Sequence, residues 1–338
     1  MKTSEVIKQP SRQSTSIRVQ RVTLNRRLLR VRKVLVPTDF SAASLQALEY
    51  ALPLIKSFGA DLHLVHVSEP NYPLTNMTGL PLMLPESKTR CLVQRDLQRV
   101  ARKYSIQLDE RKIHSCQGRP FEEICQLAQE QGIDLIIMST RGHTGFRHFA
   151  LGSTAERIVR HSHCPVLVVH PTLTQGKGNR KSGLRKLSFE RIIVPIDFSE
   201  CSMDGLTYAK GLAKRFGSEL VLLNSVALHY YVTSDEYPRY DLPQLMQRGE
   251  QSAREQMQIL LAKTDWKGIK VTPSFQIGHA GQQICREALE QGADMIITST
   301  HGITGFKHML VGSTAEYVVR HASCPVLVVP SHERPAIT

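Results

Sequence analysis

The chain carries a single tryptophan, Trp266, in 338 residues, and no apolar run approaches the ~18 residues that a membrane-crossing helix needs. No span is therefore expected. Its seven cysteines include no C-x-x-C pair, which argues against a disulfide framework or a zinc site. A G-x4-G-K-[ST] loop is missing too: the Gly, Lys and Ser residues between Lys177 and Ser182 lack that spacing and follow no strand. There is no G-x-S-x-G elbow and no catalytic triad to point to. The N-terminus lacks the apolar segment of a secretory signal. These absences set aside a membrane protein, a P-loop nucleotidase and the common serine hydrolases.

What is present describes a soluble globular protein, with 41% apolar and 22% charged residues over a length that holds two ordinary domains. The net charge of +13 is concentrated in two places. Residues 1–33 hold ten Lys/Arg against Glu5, and 174–191 hold six against Glu190. Such segments can attract nucleic acid or an anionic membrane. A solvated tail and a solvated linker are the favoured reading. The first segment is also Arg- and Ser-rich, as an organelle transit peptide would be. A cytoplasmic protein is the expectation.

The decisive feature is an internal repeat. The run from Val34 to Ser41, ending Pro37-Thr38-Asp39-Phe40-Ser41, returns as Ile192 to Ser199, ending Pro195-Ile196-Asp197-Phe198-Ser199. Ser139-Thr140-Arg141-Gly142, nine residues, then Gly152-Ser153-Thr154-Ala155-Glu156 returns as Ser299-Thr300-His301-Gly302, nine residues, then Gly312-Ser313-Thr314-Ala315-Glu316. His161 to Val169 returns as His321 to Val329. The organisation expected is a basic extension 1–30, a domain 31–170, a flexible Gly/Lys/Arg-rich linker 171–189, a domain 190–330 and a tail 331–338. Cys125 with Cys285 and Cys164 with Cys324 fall at equivalent positions among apolar neighbours, as small buried hydrophobes do.

Within each copy strand and helix patterns alternate. Strand 1 at Lys33–Pro37 leads to a helix capped by Ser41 and stopped by Gly59, with Leu45, Leu48, Leu52 and Ile55 on one face. Ser199 and Gly217 repeat the arrangement. Pro53 and its counterpart Gly211 sit inside those helices, where a bend is expected. Strands follow at Leu62–Val67, Lys112–Ser115, Leu135–Met138 and Val166–Val169, with equivalents in the second copy. Continuous apolar strands alternating with helices give an α/β fold, a parallel sheet covered on both faces. Ligands of such sheets sit outside the carboxyl ends of the strands, where strand order reverses. The Asp-containing turn and the glycine loop both belong to that edge.

There, Gly142 permits a backbone approach that a Cβ would block, and Gly152-Ser153-Thr154 opens a helix whose first N–H groups have no internal partner. Those donors and the helix dipole suit an oxyanion. A lone Gly-Ser would be only an N-cap; the strand context and the recurrence in both halves favour a phosphate cradle. Asp39 and Asp197 either orient their turns by an Asx bond or accept a ribose hydroxyl, with Mg²⁺ a further role. Arg141, Arg147, His301 and Lys307 are phosphate partners or solvated charges. His161, His163 and His321 have no ligand set around them and read as helix-end residues.

The Pro-Thr-Asp-Phe-Ser turn, the G-x9-G-[ST] loop and the terminal Cys-Pro-Val-Leu-Val-Val strand together resemble the universal stress protein family, over both halves. The resemblance implies an open five-stranded fold and, in its ATP-binding branch, ATP held by G-x2-G-x9-G-[ST]. Carried over, it implies triphosphate contacts at Gly142, Gly152, Ser153 and Thr154, ribose and phosphate contacts on the Pro37-Thr38-Asp39 turn, and adenine against the backbone near Val67 and Met138. The second set is Gly302, Gly312, Ser313, Thr314, Pro195, Ile196, Asp197, Ser225 and Thr298. The first glycine of the pattern is replaced by Ser139 and Ser299, and a position needing positive φ would disfavour serine. It also implies pairing of the last strands, here within one chain as a pseudo-dimer, with a homodimer of chains compatible. The function expected is an ATP-binding regulatory stress protein, not an enzyme, with hydrolysis slow or nil. Apolar residues between 68 and 85 (Met77, Leu80, Leu82, Met83, Leu84) would serve as a lid. The alternatives are a nucleic-acid-binding or scaffold protein working through the basic segments, and a nucleotide-using transferase.

Overall fold

Short apolar runs become the strands of one continuous sheet. The computed structural model describes residues 30–69, 86–107, 109–140, 151–170, 189–226, 242–300 and 312–331. The first repeat runs β1 (Lys33–Pro37), α1 (Ala42–Phe58), β2 (Asp61–Ser68), α2 (Glu86–Lys103), β3 (Ile113–Gln117), α3 (Pro120–Glu130), β4 (Leu135–Ser139), α4 (Ser153–His161) and β5 (Val166–Val169). The second runs β6 (Arg191–Pro195), α5 (Glu200–Phe216), β7 (Glu219–Val226), α6 (Leu242–Lys263), β8 (Val271–Ile277), α7 (Ala280–Glu290), β9 (Met295–Ser299), α8 (Ser313–His321) and β10 (Val326–Val329). Strand order is β3-β2-β1-β4-β5-β10-β9-β6-β7-β8. Pairing is parallel inside each repeat, and β5 meets β10 antiparallel through Val168–Val326, Leu167–Leu327 and Val166–Val328.

The start and stop signals act as their chemistry dictates. Ser41 and Ser199 cap α1 and α5, each accepting at 3.2 Å from the N–H of Ser44 or Ser202. Gly59 and Gly217 end the same helices in the left-handed conformation, at φ 65° and 73°. The buried stripe of α1 is Leu48, Ala51, Leu54 and Ile55, while Leu45 and Leu52 lie at its half-buried margins. The apolar face is thus turned by part of a residue step from the one the leucines alone suggest. Strand β3 begins one residue later than expected, because Asp109 caps a short 3₁₀ turn over Glu110–Lys112. Of the lid residues, Met77, Leu80, Leu82, Met83 and Leu84 all lie outside the described residues.

Sheet faces alternate strictly. Val34, Val36, Leu64 and Ile137 pack against α1 and α2, whereas Leu35, Val65 and Ile136 pack against α3 and α4. The fully buried aliphatic side chains contribute roughly 1.5–3 kcal/mol each. Besides the β5–β10 pairing, the repeats touch through Phe58 edge-on to Phe216, at 6.0 Å between ring centroids, and through Arg320, which reaches Glu156 at 3.2 Å.

None of the seven cysteines is in a disulfide. Burial pushes the Cys164 thiol up to about 11 and Cys324 to about 12, so neither supplies a thiolate at neutral pH. Maleimide labelling of the native protein should therefore modify exposed Cys91 and spare both, as peptide mapping would show.

One polar pair, with His63 buried and His114 half-buried, departs from this apolar plan. His63 and His114 stack on neighbouring strands, with rings 5.3 Å apart and Nδ1 to Nε2 at 3.0 Å. Burial first, then His114 and the nearby Lys33 and Lys112, hold His63 down at about 4. The unfolded chain takes up this proton near 6.5 while the fold refuses it until about 4. Stability is thus lost as pH falls through that window, by up to roughly 1.4 kcal/mol per pH unit. The equivalent ladder positions of the second repeat hold Val221 and Ser274. Urea unfolding of H63V/H114S should show a flatter decline between pH 6.5 and 4 than the parent.

Candidate functional site

Each repeat has one place where the sheet opens. β1 and β4 share a ladder only at Val34–Leu135 and Leu35–Ile136, and then separate toward their carboxyl ends. β6 and β9 do the same after Ile192–Met295 and Ile193–Ile296. The sheet reverses its order at these points, so the mouth between the strands is the natural ligand crevice. One wall is the turn after β1 and the other is the start of α4.

The turn is held from several sides. Thr38 donates its N–H to the Val65 carbonyl at 2.8 Å, and Ile196 does so to Leu223 at 2.8 Å. The His66 Nδ1–H donates to the Thr38 carbonyl at 2.8 Å, and Asn224 Nδ2 donates to the Ile196 carbonyl at 2.8 Å. Asp39 Oδ1 accepts from the Ser41 N–H at 3.0 Å and the Ser41 hydroxyl at 2.6 Å; Asp197 accepts from Ser199 in the same way. The Asx bond is therefore present in both repeats. Between Asp and Ser, Phe40 and Phe198 adopt φ 63° and 64°, left-handed values that cost a bulky residue roughly 1–2 kcal/mol. Thr38 is buried, and its hydroxyl serves the turn, meeting Ser44 at 3.1 Å and accepting from Phe40 N–H at 3.0 Å.

The opposite wall starts from the strand end. Thr140 donates to the Val169 carbonyl at 3.2 Å and its own carbonyl accepts from Gly152 at 2.8 Å. Thr300 and Gly312 repeat this at 3.0 and 2.7 Å from Val329 and Thr300. Gly152 and Gly312 are thereby fixed as N-caps of α4 and α8, leaving the N–H groups of Ser153 and Thr154, or Ser313 and Thr314, in a first turn that offers them no intrahelical partner. Ser153 and Ser313 are exposed. A Cβ on Gly152 would meet the Thr140 carbonyl oxygen at 3.1 Å, so the glycine is needed for the close approach and not for an unusual φ, which is −61°. These residues suit an anion such as a phosphate.

Ser139 and Ser299 are buried end residues of β4 and β9, paired with Val169 and Val329, and neither has positive φ. Serine at the first position of the loop pattern is thus unstrained. Met138 and Thr298 are buried beside them, Val67 and Ser225 lie half-buried near the ends of β2 and β7, and Pro37 and Pro195 close β1 and β6. Gly142 and Gly302, with Arg141, Arg147, His301 and Lys307, lie outside the described residues. Among the described residues no group of His, Cys, Asp and Glu is arranged to hold a metal.

A model of the family described as "Universal stress protein family" matches residues 30–170 and again 188–330. The chain belongs to the universal stress protein family. Over 142 residues it is 34% identical to a universal stress protein of Methanocaldococcus jannaschii, covering 41% of this chain and 81% of the relative. A Bacillus subtilis universal stress protein is 30% identical over 145 residues, covering 40% of this chain and 97% of the relative. In structure the chain is similar to a universal stress protein of Archaeoglobus fulgidus, at TM-score 0.57 and 22% identity over 89% of this chain and 97% of that one, a likeness of fold.

The residues that sequence reading missed in this tandem stress protein are His66, Asn224 and the left-handed Phe40 and Phe198. Positions 66 and 224 are unlike residues at equivalent repeat positions. Their shared trait, an N–H donor on a δ nitrogen, is the signal that was available.

Because Asn keeps an acceptor where Asp has one, D39N should unfold in urea close to the parent. D39A should lose about 1 kcal/mol, the usual cost of removing such a local bond.

Proposed function

We propose that the protein binds ATP in each crevice and acts as a regulatory binding protein, with little or no hydrolysis. The observation that carries this reading is the pairing of a pinned, open helix start with an Asp turn at a point where the sheet divides, twice in one chain. The α4 N-terminus, with Ser153 exposed and Gly152 against Thr140, fits a polyphosphate. Each charge-assisted hydrogen bond there is worth roughly 1.5–3 kcal/mol, so a few hold a phosphate without a lysine. The Asp39 carboxylate would receive the ribose, and the backbone near Val67 and Met138 the adenine; Asp197, Ser225 and Thr298 are the second set. Any Mg²⁺ would be carried chiefly by the phosphates, because the described residues form no cage for it.

The two repeats form an internal pseudo-dimer in this reading, and the cytoplasm is its place of action. β5 and β10 already occupy each other's edges, so a homodimer of chains would use another surface.

Equilibrium dialysis with ATP and Mg²⁺ tests the proposal. Two nucleotides per chain are expected, recovered largely as ATP after incubation. G152V should retain one, because its side chain meets the Thr140 carbonyl and displaces the first helix start only. Absence of binding at millimolar ATP would refute it.

A further inference from the structure

Both walls of each crevice must be placed, and the wall carrying the Asp includes a strained residue. It contains a phenylalanine in the left-handed region, a conformation that persists only where its surroundings over-determine it. The residue before the Asp is held at both backbone groups: its N–H by a β2 or β7 carbonyl, and its C=O by a side chain one residue further along that strand.

That side chain is His66 in one repeat and Asn224 in the other. The residue it holds also differs, Thr38 in one and Ile196 in the other, so side-chain chemistry at that position is not the common cause. A carbonyl oxygen only accepts, which requires the proton on His66 Nδ1. His Nδ1 and Asn Nδ2 are each bonded to Cγ, and both stand 2.8 Å from the same main-chain atom of their repeat. Two unlike residues have met one geometric demand. His66 adds a stack of its ring on Phe40, centroids 4.6 Å apart, which Asn224 has no ring to reproduce.

Given the nucleotide reading of the crevices, on which this rests, we infer that His66 and Asn224 are positioning residues for the two nucleotide sites, each fixing the carbonyl that precedes the Asp and so aiming the carboxylate at the ligand. Neither residue touches the nucleotide. Removing the donor frees the carbonyl and lets the left-handed turn relax.

The test is ATP stoichiometry and affinity by equilibrium dialysis on the full chain. The parent should bind two ATP, H66L and N224L one tightly bound ATP each, with the affected site weakened about tenfold, the order of one hydrogen bond. H66N and N224H should each restore two. In a G152V background, which lacks the first site, H66L should change nothing further and N224L should weaken what remains. This selectivity separates positioning from general loss of stability. The inference is overturned if H66L binds as the parent does, or if H66N fails as H66L does. A parent chain that binds no ATP overturns the nucleotide reading instead.

Discussion

β1 and β4 start as hydrogen-bonded neighbours and part after two residue pairs, and β6 and β9 do the same. The cause is topological. After β1 the chain moves outward through β2 and β3, then returns to the other side of β1 as β4. Connections on the two sides pack their helices on opposite faces of the sheet, α1 and α2 on one and α3 and α4 on the other. Between them the carboxyl ends of β1 and β4 part after Leu35–Ile136. Everything proposed about function depends on that opening, since it sets the first turn of α4, whose N–H groups have no intrahelical partner, across from the Asp39 turn.

The second constraint is the edge problem of β5. An apolar four-residue strand at the end of a sheet would expose unpaired backbone groups to any other strand. In this chain β10 covers it, and the result is a ten-stranded sheet with its most apolar strands at the centre and β3 and β8 outside. Glu156 and Arg320 lie on α4 and α8, the helices whose first turns form the candidate phosphate cradles. The join therefore does more than hide an edge. It places one ion pair in direct covalent continuity with both cradles, eight or fewer residues from either cap.

Much of this was legible in the sequence, for identifiable reasons. Ser41, Gly59 and the Val-Leu-Val-Val runs act through local chemistry, so caps, stops and buried strands followed from residue type alone. The repeat then supplied what one copy could not, a check that the Gly-Ser start was no isolated cap. Other features were hidden because they are tertiary. Ser139 looked like a weakened glycine, but it is a strand residue whose φ is set by pairing with Val169. Phe40 gave no sign of a left-handed conformation, which sits in a turn tied to β2 through Val65 and His66. His63 and His114 looked like ordinary strand residues until the register placed them side by side.

The two crevices are built to one plan with unlike parts. Thr38 against Ile196, His66 against Asn224, Val67 against Ser225 and Met138 against Thr298 differ near the turn and the strand ends, while the Pro, Asp, Phe and Ser of the turn, the Ser-Thr at the ends of β4 and β9 and the Gly-Ser-Thr helix start recur. The main-chain bonds are preserved to within 0.2 Å at equivalent positions, as in Thr140–Val169 at 3.2 Å against Thr300–Val329 at 3.0 Å. Where backbone geometry persists while side chains vary, recognition through backbone N–H groups and a shared Asp is favoured over recognition through the varying side chains. A polyphosphate read by helix-terminal amides meets that condition. In the proposed reading the side-chain differences would set the relative affinity of the two sites, since the His66 ring stacks on Phe40 in the first turn and Asn224 has no ring in the second.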